Sequence, residues 1–293
     1  NIVDVSESFE EVLLEQVIII FKNEKSDNRY TFTSGEGWEK EIKRIGIISA
    51  TRAEELNLLP IYIDNFKMQI FIKLKADSVL LKDISETFRG LPLQKKCSSE
   101  GGTPLLRGDN IGKYLIYGEV PKAHLSKNDY SNNKITKLIQ PKIISQNIIA
   151  HVKTPFDRII IMATYDKKGF LTLDTVMNTL ITDSNYCYEY ILAILNSKLA
   201  EWFYYWFVYN RAVRTMHFDE YYIGKLPIKM IDRSSQEPFV YLVSQILSIT
   251  QSDDYLSNPR KQVKVKELEK EIDQLVYKLY GLTDEEIKIV EGA

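Results

Sequence analysis

The sequence predicts an α+β fold, in which a mostly antiparallel sheet is followed by helices and a long helix lies near the C-terminus. Three observations predict it: strand-like segments separated by turns between residues 114 and 181, apolar residues at helical spacing after residue 190, and a regular apolar pattern between residues 265 and 279. With 293 residues, 44% of them hydrophobic, the chain can bury the core of one large domain or two modest ones.

Four segments in the middle of the chain are rich in strand-forming residues. They span residues 114–120, 142–149, 158–164 and 170–181. The turn "DKKG" at residues 166–169 separates the last two and places Gly169 where a left-handed residue is needed. We therefore expect the last two strands to pair as a hairpin within an antiparallel sheet.

Apolar residues at helical spacing follow these strands. One stripe predicts a helix over residues 190–206 and is formed by Ile191, Leu195, Leu199, Trp202 and Trp206. Aromatic residues at this spacing are typical of a packed core, and we prefer that interpretation to a base-stacking or cofactor role. The segment "EPFVYLVSQILSIT" predicts a second helix, with Pro238 suited to its first turn.

The long C-terminal helix is predicted from "VKELEKEIDQLVYKLYG". Its apolar positions alternate by three and four residues, and Gly281 is placed to end it. Thr283 and Glu286 then have the spacing of a capping box, which predicts one last helix.

The N-terminal part of the chain has a different texture. Residues 17–21 form a β-branched run of the kind found in a strand buried on both faces, "RYTFTS" predicts a short strand, and "SATRAEELNLL" predicts a helix. We expect three parts: residues 1–80 as the trailing part of a preceding domain with its linker, 81–232 as an α/β domain, and 233–293 as a helical segment.

The formal net charge of −2 hides a local asymmetry. Residues 94–142 carry nine Lys/Arg and four Asp/Glu, a net charge of +5, whereas residues 261–291 carry six and eight, a net charge of −2. An electrostatic footprint for nucleic acid depends on such local charge rather than on the mean. The basic middle segment is therefore the predicted contact with a polyanion.

Several function classes lack their motifs. The two cysteines, Cys97 and Cys187, form no CxxC, and we expect neither a disulfide framework nor a zinc site, which fits a reducing cytoplasmic setting. No apolar run is long enough to span a membrane, so no membrane partner is expected. A P-loop, an HExxH motif and an Asn/Asp-Pro-Pro-aromatic tetrapeptide are absent, and three scattered histidines form no acid–base group. We expect no catalytic residue and no bound metal in this chain.

One pattern leaves an alternative open. Asp157, Asp166 and Lys168 loosely match the D…(D/E)xK spacing of metal-dependent nucleases, in which two carboxylates hold the metal and a lysine orients water. The other interpretation, which we prefer, is that "DKKG" is a polar turn.

Four segments in order carry a family resemblance: "PLLRGDNIGKYLI", "PKIISQNI", "YEYILAILNSKLAEWFYY" and "YYIGKLPIK". Together they resemble the TaqI-like C-terminal specificity domain of adenine-specific DNA methyltransferases and of type II and IIG restriction-modification enzymes. The resemblance covers residues 80–293 well and residues 1–80 weakly. "FEEVLLEQVIII" is similar to the last strands of the family's α/β methyltransferase domain, and the tail is similar to the family's closing helix.

The resemblance implies a target recognition domain that reads a short sequence of double-stranded DNA. A methyltransferase domain of the same polypeptide would extrude an adenine and methylate its N6 with S-adenosylmethionine, and magnesium would be needed if the parent enzyme also cleaves DNA. The chain itself is expected to be non-catalytic and to hold no cofactor. The alternative remains a nuclease site at Asp157, Asp166 and Lys168, and the C-terminal helices could in addition dock a domain or a second copy.

The candidate DNA-binding residues fall into two groups. The leading group lies in the loop "YNRAVRTMHF" that follows the apolar helix, because Arg suits guanine and Asn suits adenine: Asn210, Arg211, Arg214 and His217. The second group lies in the basic middle segment and beside it, where many contacts would go to phosphate: Arg107, Lys113, Gln146, Asn147, His151, Lys153, Lys167 and Lys168. For each of these the alternative is an ordinary solvated surface residue. Gly108, Gly112 and the run Leu195-Asn196-Ser197 are assigned to architecture.

Overall fold

The computed structural model describes residues 2–4, 17–20, 29–34, 43–49, 54, 59–98, 102–131, 133–211 and 216–292. The strands in chain order are β1 Ile2–Asp4, β2 Val17–Ile19, β3 Arg29–Ser34, β4 Lys43–Ser49, β5 Ser78–Leu80, β6 Ser85–Arg89, β7 Cys97–Ser98, β8 Thr103–Leu106, β9 Ile111–Gly112, β10 Leu115–Ile116, β11 Lys122–Ala123, β12 Lys142–Gln146, β13 Ile148–Val152, β14 Arg158–Ile160, β15 Ala163–Asp166, β16 Leu171–Thr172, β17 Val176–Ile181, β18 Met216–His217 and β19 Pro227–Lys229.

The helices are α1 Asn65–Lys75, α2 Leu81–Ile84, α3 Lys127–Tyr130, α4 Asn133–Leu138, α5 Tyr188–Leu195, α6 Lys198–Phe203, α7 Glu220–Ile223, α8 Arg233–Thr250, α9 Pro259–Leu279 and α10 Asp284–Glu291. This mixture of mainly antiparallel sheets with helices confirms the predicted α+β class. In the described part of the chain, none of the helices combines the length and the apolar character needed to cross a bilayer.

The first four strands form one sheet in the order β2-β1-β3-β4. The segment "RYTFTS" is a strand, as predicted. The run at 17–21 is a strand only over Val17–Ile19, and Val17 and Ile19 are exposed. The prediction that both faces are buried is therefore wrong, because β2 lies at the end of this sheet and pairs with β1 alone among the described strands. The helix predicted in "SATRAEELNLL" lies almost wholly outside the described residues, and the assignment of residues 1–80 to a methyltransferase domain stays a prediction.

The central sheet has the order β15-β12-β17-β6 and is antiparallel throughout. It contradicts the predicted hairpin, because β12 lies between β15 and β17, and β16 pairs in parallel with β8 in another sheet. The "DKKG" turn does turn the chain, with Gly169 at a φ of 71° as expected. The carboxylate of Asp166 accepts the backbone N–H groups of Lys168, Gly169 and Phe170 and ties the turn to Lys142, so the chain leaves the central sheet here.

Three other predicted strands are shorter or divided. The segment 114–120 contributes only β10, because Tyr114 has a φ of 57° and lies in the tight turn between β9 and β10. Residues 142–149 divide into β12 and β13 at Asn147, and residues 158–164 divide into β14 and β15. As a result β13 and β14 belong to a separate three-stranded sheet with the order β14-β13-β18.

The single helix predicted over residues 190–206 is interrupted. Helix α5 ends before Asn196, whose side-chain amide donates to the Ala163 carbonyl at 2.9 Å, and Ser197 caps α6 by accepting from the Ala200 N–H at 3.2 Å. The chain then passes into a π-helical turn over Tyr204–Val208. The assignment of Asn196 and Ser197 to architecture agrees with these contacts, and four of the five residues of the predicted stripe are buried.

The C-terminal helices follow the prediction more closely. Helix α9 ends just before Gly281, which has a φ of 68°, and Thr283 with Glu286 forms the predicted capping box. The prediction that Pro238 lies in the first turn of its helix was wrong. Helix α8 begins five residues before Pro238, at Arg233 with Asp232 as its cap, so Pro238 lies inside the helix. The main apolar core joins α1, α5, α6, α8 and α9, with Phe71 stacked on Phe207 at 4.8 Å.

Candidate nucleic-acid interface

Two groups of predicted DNA-binding residues meet through one strand pair. Strand β13 pairs with β18 in the register Ile148 to His217 and Ile149 to Met216. The pairing places the end of the "YNRAVRTMHF" loop beside the β13–β14 hairpin. We call residues 146–158, 209–211 and 216–217 the recognition face.

Residue Arg107 belongs beside this face. The backbone N–H of the next residue, Gly108, donates to the Thr175 hydroxyl at 3.0 Å, and the N–H of Asn147 donates to the Thr175 carbonyl at 3.1 Å. The exposed Arg107 guanidinium pairs with Asp109 at 3.0 Å. Because this pair is solvated and weak, it leaves Arg107 able to exchange Asp109 for a phosphate.

Asn210 holds the loop in place. It has a φ of 50°, its side-chain oxygen accepts from the Ile61 N–H at 2.9 Å, and its side-chain nitrogen donates to the Leu59 carbonyl at 3.2 Å. Both polar atoms of the amide are therefore engaged within the chain. The geometry gives Asn210 a positioning role and offers no free amide edge for an adenine.

Arg211 is the exposed cation of the loop. It has a φ of 62°, and its N–H donates to the Tyr205 carbonyl at 2.9 Å. The guanidinium lies 4.9 Å from the centre of the Tyr62 ring and 5.5 Å from that of the Trp206 ring. Two successive non-glycine residues at positive φ are costly and are found mainly where the surrounding structure fixes a loop for function. Arg214 lies outside the described residues.

The two histidines of the face differ in their surroundings. His217 is exposed, and its carbonyl accepts from the Tyr209 hydroxyl at 2.8 Å. The His151 side chain is only 6% exposed and its ring is stacked with Tyr205 at 6.1 Å. Its Nε2 lies 3.1 Å from a carboxylate oxygen of Asp157, but the angles do not make a hydrogen bond. Only His217 has its side chain open to a DNA partner in this structure.

The strand ends of the face are mostly committed to the fold. Gln146 donates to the Ile111 carbonyl at 2.7 Å, and the Asn147 carbonyl accepts from the Phe218 N–H at 2.7 Å. The buried side-chain oxygen of Asn147 has no hydrogen-bond donor among the described residues. Lys153 is exposed in the hairpin.

Three predicted cations lie away from the face. Lys167 and Lys168 follow Asp166, which pairs with Lys142 at the start of β12. Gln146 lies at the other end of this strand. Lys167 is 3.1 Å from a carboxylate oxygen of Glu189. Lys113 points instead into an acidic group, with its Nζ 3.8 Å from Glu201 and 3.9 Å from Glu269. The structure therefore separates Lys167 and Lys168 from the other candidates, whereas Lys113 is committed to acids in a cleft that Arg211 also lines.

Lys113 and its acidic neighbours belong to a cleft of about 640 Å³. Its walls are the β13–β14 turn, α6 with the π-helical turn, α9 and the end of α10. Burial raises the pKa of Glu201 to about 7 and also raises that of Asp273. Burial alone would lower the pKa of Lys113, but Glu201, Glu269 and Asp273 together raise it. Lys113 thus neutralises part of a buried acidic group.

The nuclease alternative fails at Asp166. This carboxylate is fully buried, accepts three backbone N–H groups and pairs with Lys142 at 2.6 Å, so its oxygens are already engaged. Asp157 lies in the β13–β14 turn near His151. Among the residues that the structure describes, no three His, Cys, Asp or Glu side chains are grouped to hold a metal.

Sequence reasoning missed the residues that position the face. Tyr62, Thr175 and Tyr205 were not singled out, and Trp206 was assigned only to packing. Their contacts join distant parts of the chain, so no local pattern marked them. The two adjacent polar residues Asn210 and Arg211 were the one available signal, because Asn tolerates a left-handed conformation.

A comparison with known protein families finds one match within the chain. Residues 103–228 match the family model of the TaqI-like C-terminal specificity domain. The resemblance inferred from the sequence is thereby confirmed over these residues. No curated protein matches the chain.

Solved structures give distant likenesses. The HsdS subunit from Thermoanaerobacter tengcongensis is 12% identical, with a TM-score of 0.34, 78% of this chain covered and 52% of that one. A chain from a study of complex assembly and conformational transition of the type I R-M system is 13% identical, with a TM-score of 0.38. The match covers 78% of this chain and 53% of that one. The type I restriction-modification S subunit from M. genitalium is 11% identical, with a TM-score of 0.34. The match covers 82% of this chain and 63% of that one. The match thus spans less than two thirds of each of these chains.

Proposed function

We propose that this chain reads a short sequence of double-stranded DNA for a restriction-modification system. The observation that carries the proposal is the match of residues 103–228 to the TaqI-like specificity domain. The recognition face and Arg107 beside it support the proposal: Arg107, Lys153, Arg211 and His217 are exposed side chains of the types that contact phosphates and base edges. They are carried by a strand pair and two fixed loops.

Local rigidity makes Arg211 the leading base-reading residue. Its backbone is fixed by the Tyr205 carbonyl, and its neighbour Asn210 is fixed to residues 59–61. A side chain that must discriminate base edges needs such support within a fraction of an ångström. A guanidinium offers paired donors to guanine O6 and N7.

We further propose that the parent polypeptide is an adenine-specific N6 DNA methyltransferase of a type II system. The ordered motifs and the similarity of "FEEVLLEQVIII" to the end of a methyltransferase domain support it. S-adenosylmethionine would supply the methyl group in that domain, and no residue of this chain is assigned to hold it. Calorimetry should accordingly detect no binding of S-adenosylmethionine to this chain, and measurable binding would contradict that assignment.

The test is selection of duplexes from a randomised pool by the purified chain, followed by affinity measurement on the enriched sequence. We expect one enriched motif, with a binding constant that falls steeply as salt rises because phosphate contacts release counterions. Lys264→Ala and Lys278→Ala on α9 serve as controls and should bind as the wild type does. A pool that stays random, or an affinity that is insensitive to salt, would contradict the proposal.

A further inference from the structure

The cleft of about 640 Å³ adjoins the recognition face and extends beyond it to α9. Its size lies within the range of about 300–1,000 Å³ typical of sites for small organic ligands. Arg158 and Arg211 line one side, and Lys266 and Lys270 line another, four residues apart on one face of α9.

Of the cationic side chains described in the cleft, some form ion pairs with carboxylates and others do not. Lys113 is shared by Glu201 and Glu269, and Lys198 pairs with Glu291 at 2.8 Å. In the part of the chain that the structure describes, Arg158, Arg211, Lys266 and Lys270 have no carboxylate partner. Among the described residues of the cleft, these four cations outnumber the two carboxylates that have no Lys or Arg partner, those of Asp157 and Asp273, which favours an anionic ligand.

Aromatic rings accompany two of these cations. The guanidinium of Arg211 lies 5.5 Å from the centre of the Trp206 ring, and that of Arg158 lies 5.3 Å from that of Phe156. Both rings are partly exposed and line the cleft. Rings combined with guanidinium groups are the elements with which proteins hold unpaired nucleotides, the rings contacting the base and the cations the phosphate.

One buried donor of the cleft lacks an acceptor. Trp202 lines the cleft and is 5% exposed, and its indole N–H has no hydrogen-bond partner among the residues that the structure describes. Buried donors are nearly always paired, so this one points to an acceptor supplied from outside the chain. Carbonyl oxygens and ring nitrogens of a nucleobase are acceptors of that kind.

We propose that this cleft binds a nucleoside phosphate, with the base against Trp206 and Phe156 and the phosphate between Arg158, Arg211 and the two lysines of α9. A free nucleotide and an unpaired nucleotide of a DNA strand present the same chemistry. The site shares Arg158 and Arg211 with the recognition face, but Lys266 and Lys270 lie on α9 and outside that face, so these two lysines distinguish the site from duplex reading.

The test uses the full chain with four probes: dAMP, a short fluorescein-labelled single-stranded oligonucleotide, inorganic phosphate, and the enriched duplex. Quenching of tryptophan fluorescence and calorimetry report on the unlabelled probes, and anisotropy reports on the labelled strand. The variant Lys266→Ala/Lys270→Ala should weaken nucleotide or strand binding by about tenfold or more through lost phosphate contacts. The matched control is Lys264→Ala/Lys278→Ala on the same helix, which should change it by less than about twofold.

The probes separate the possible outcomes. Binding of dAMP supports a free nucleotide as the source, and binding of the oligonucleotide without dAMP supports an unpaired nucleotide of a strand. Absence of binding by both, equal losses in the two double variants, or phosphate binding as tight as dAMP binding would each overturn the proposal. Duplex affinity is measured separately and should survive Lys266→Ala/Lys270→Ala, so failure of this site and failure of duplex reading are distinguishable.

Discussion

Removing the carboxylate of Asp166 is expected to destabilise the central sheet severely. Lys142 is fully buried, and its Nζ contacts Asp166 at 2.6 Å, the Leu138 carbonyl at 2.6 Å and the Phe170 carbonyl at 2.9 Å. Burial lowers the pKa of Lys142, although Asp166 counteracts this shift. In Asp166→Ala the ammonium group would lose its only carboxylate partner in the described part of the chain.

The expected loss follows from what stays buried. Leaving one charge of a buried pair unpaired costs about 3–5 kcal/mol. The N–H groups of Lys168, Gly169 and Phe170 would also lose their acceptor, which keeps the loss at the upper part of that range. We expect Asp166→Ala to lower the free energy of unfolding by about 4 kcal/mol in urea denaturation at neutral pH.

A double-mutant cycle isolates the pair. Lys142→Met removes the charge while keeping much of the volume, so Lys142→Met/Asp166→Ala should lose at least about 1 kcal/mol less than the sum of the single losses. Asp157→Ala is the control, since this carboxylate is 45% exposed and should cost less than about 1 kcal/mol. A loss below about 1 kcal/mol for Asp166→Ala would refute the assignment of Asp166 to a structural pair and reopen the nuclease alternative.

Three further predictions concern the cleft, the turn and the loop. Burial raises the pKa of Glu201 from 4.5 to about 7, so the folded protein holds this proton more tightly than the unfolded chain does. The free energy of unfolding should therefore fall by up to about 3 kcal/mol as pH rises from about 5 to 8. Glu201→Gln should flatten this slope in denaturation series at several pH values, and an unchanged slope would contradict the prediction. Gly169→Ala should cost more than about 1 kcal/mol in the same assay, because its φ is 71° and a Cβ would collide with the Ile139 carbonyl, whereas Gly281→Ala, which meets only the φ penalty, should cost less. Asn210→Ala should cost about 1–3 kcal/mol of stability or leave the loop open to proteolysis; identical protease resistance and stability would show that the amide does not hold the loop.

Local signals predicted the C-terminal half well. Gly281, Thr283 and Glu286 mark helix ends through contacts within a few residues, and such contacts can be inferred from spacing alone. The break between α5 and α6 was missed, although Ser197 is a residue type that caps helices. The regular stripe of five apolar residues predicted a continuous helix in spite of Ser197. The carbonyl that holds the Asn196 side chain belongs to Ala163, 33 residues away, so no local pattern marked the break.

Long-range contacts account for the other errors. The hairpin prediction failed because Asp166 pairs with Lys142, 24 residues earlier, and β12 enters between the two strands. The amide of Asn210 is held by Ile61, 149 residues away, which no spacing could predict. The residue types of the recognition face could be chosen from the sequence, but which of them remain exposed depends on these contacts. Lys113 shows this clearly, since it lies in the basic segment but pairs with acids from α6 and α9.

The central claim is that the recognition face reads a DNA sequence, and Arg211 tests it most directly. The measurement is the affinity of the chain for its selected duplex and for every single-base variant of that duplex, with wild type, Arg211→Ala and Lys264→Ala. If Arg211 reads a base, Arg211→Ala should lose about 1–3 kcal/mol of discrimination at one position and keep it at the others. If it contacts only phosphate, affinity should fall uniformly and the salt slope by about one unit. Equal affinity of the wild-type chain for all variants, or an Arg211→Ala profile identical to that of Lys264→Ala, would contradict the account.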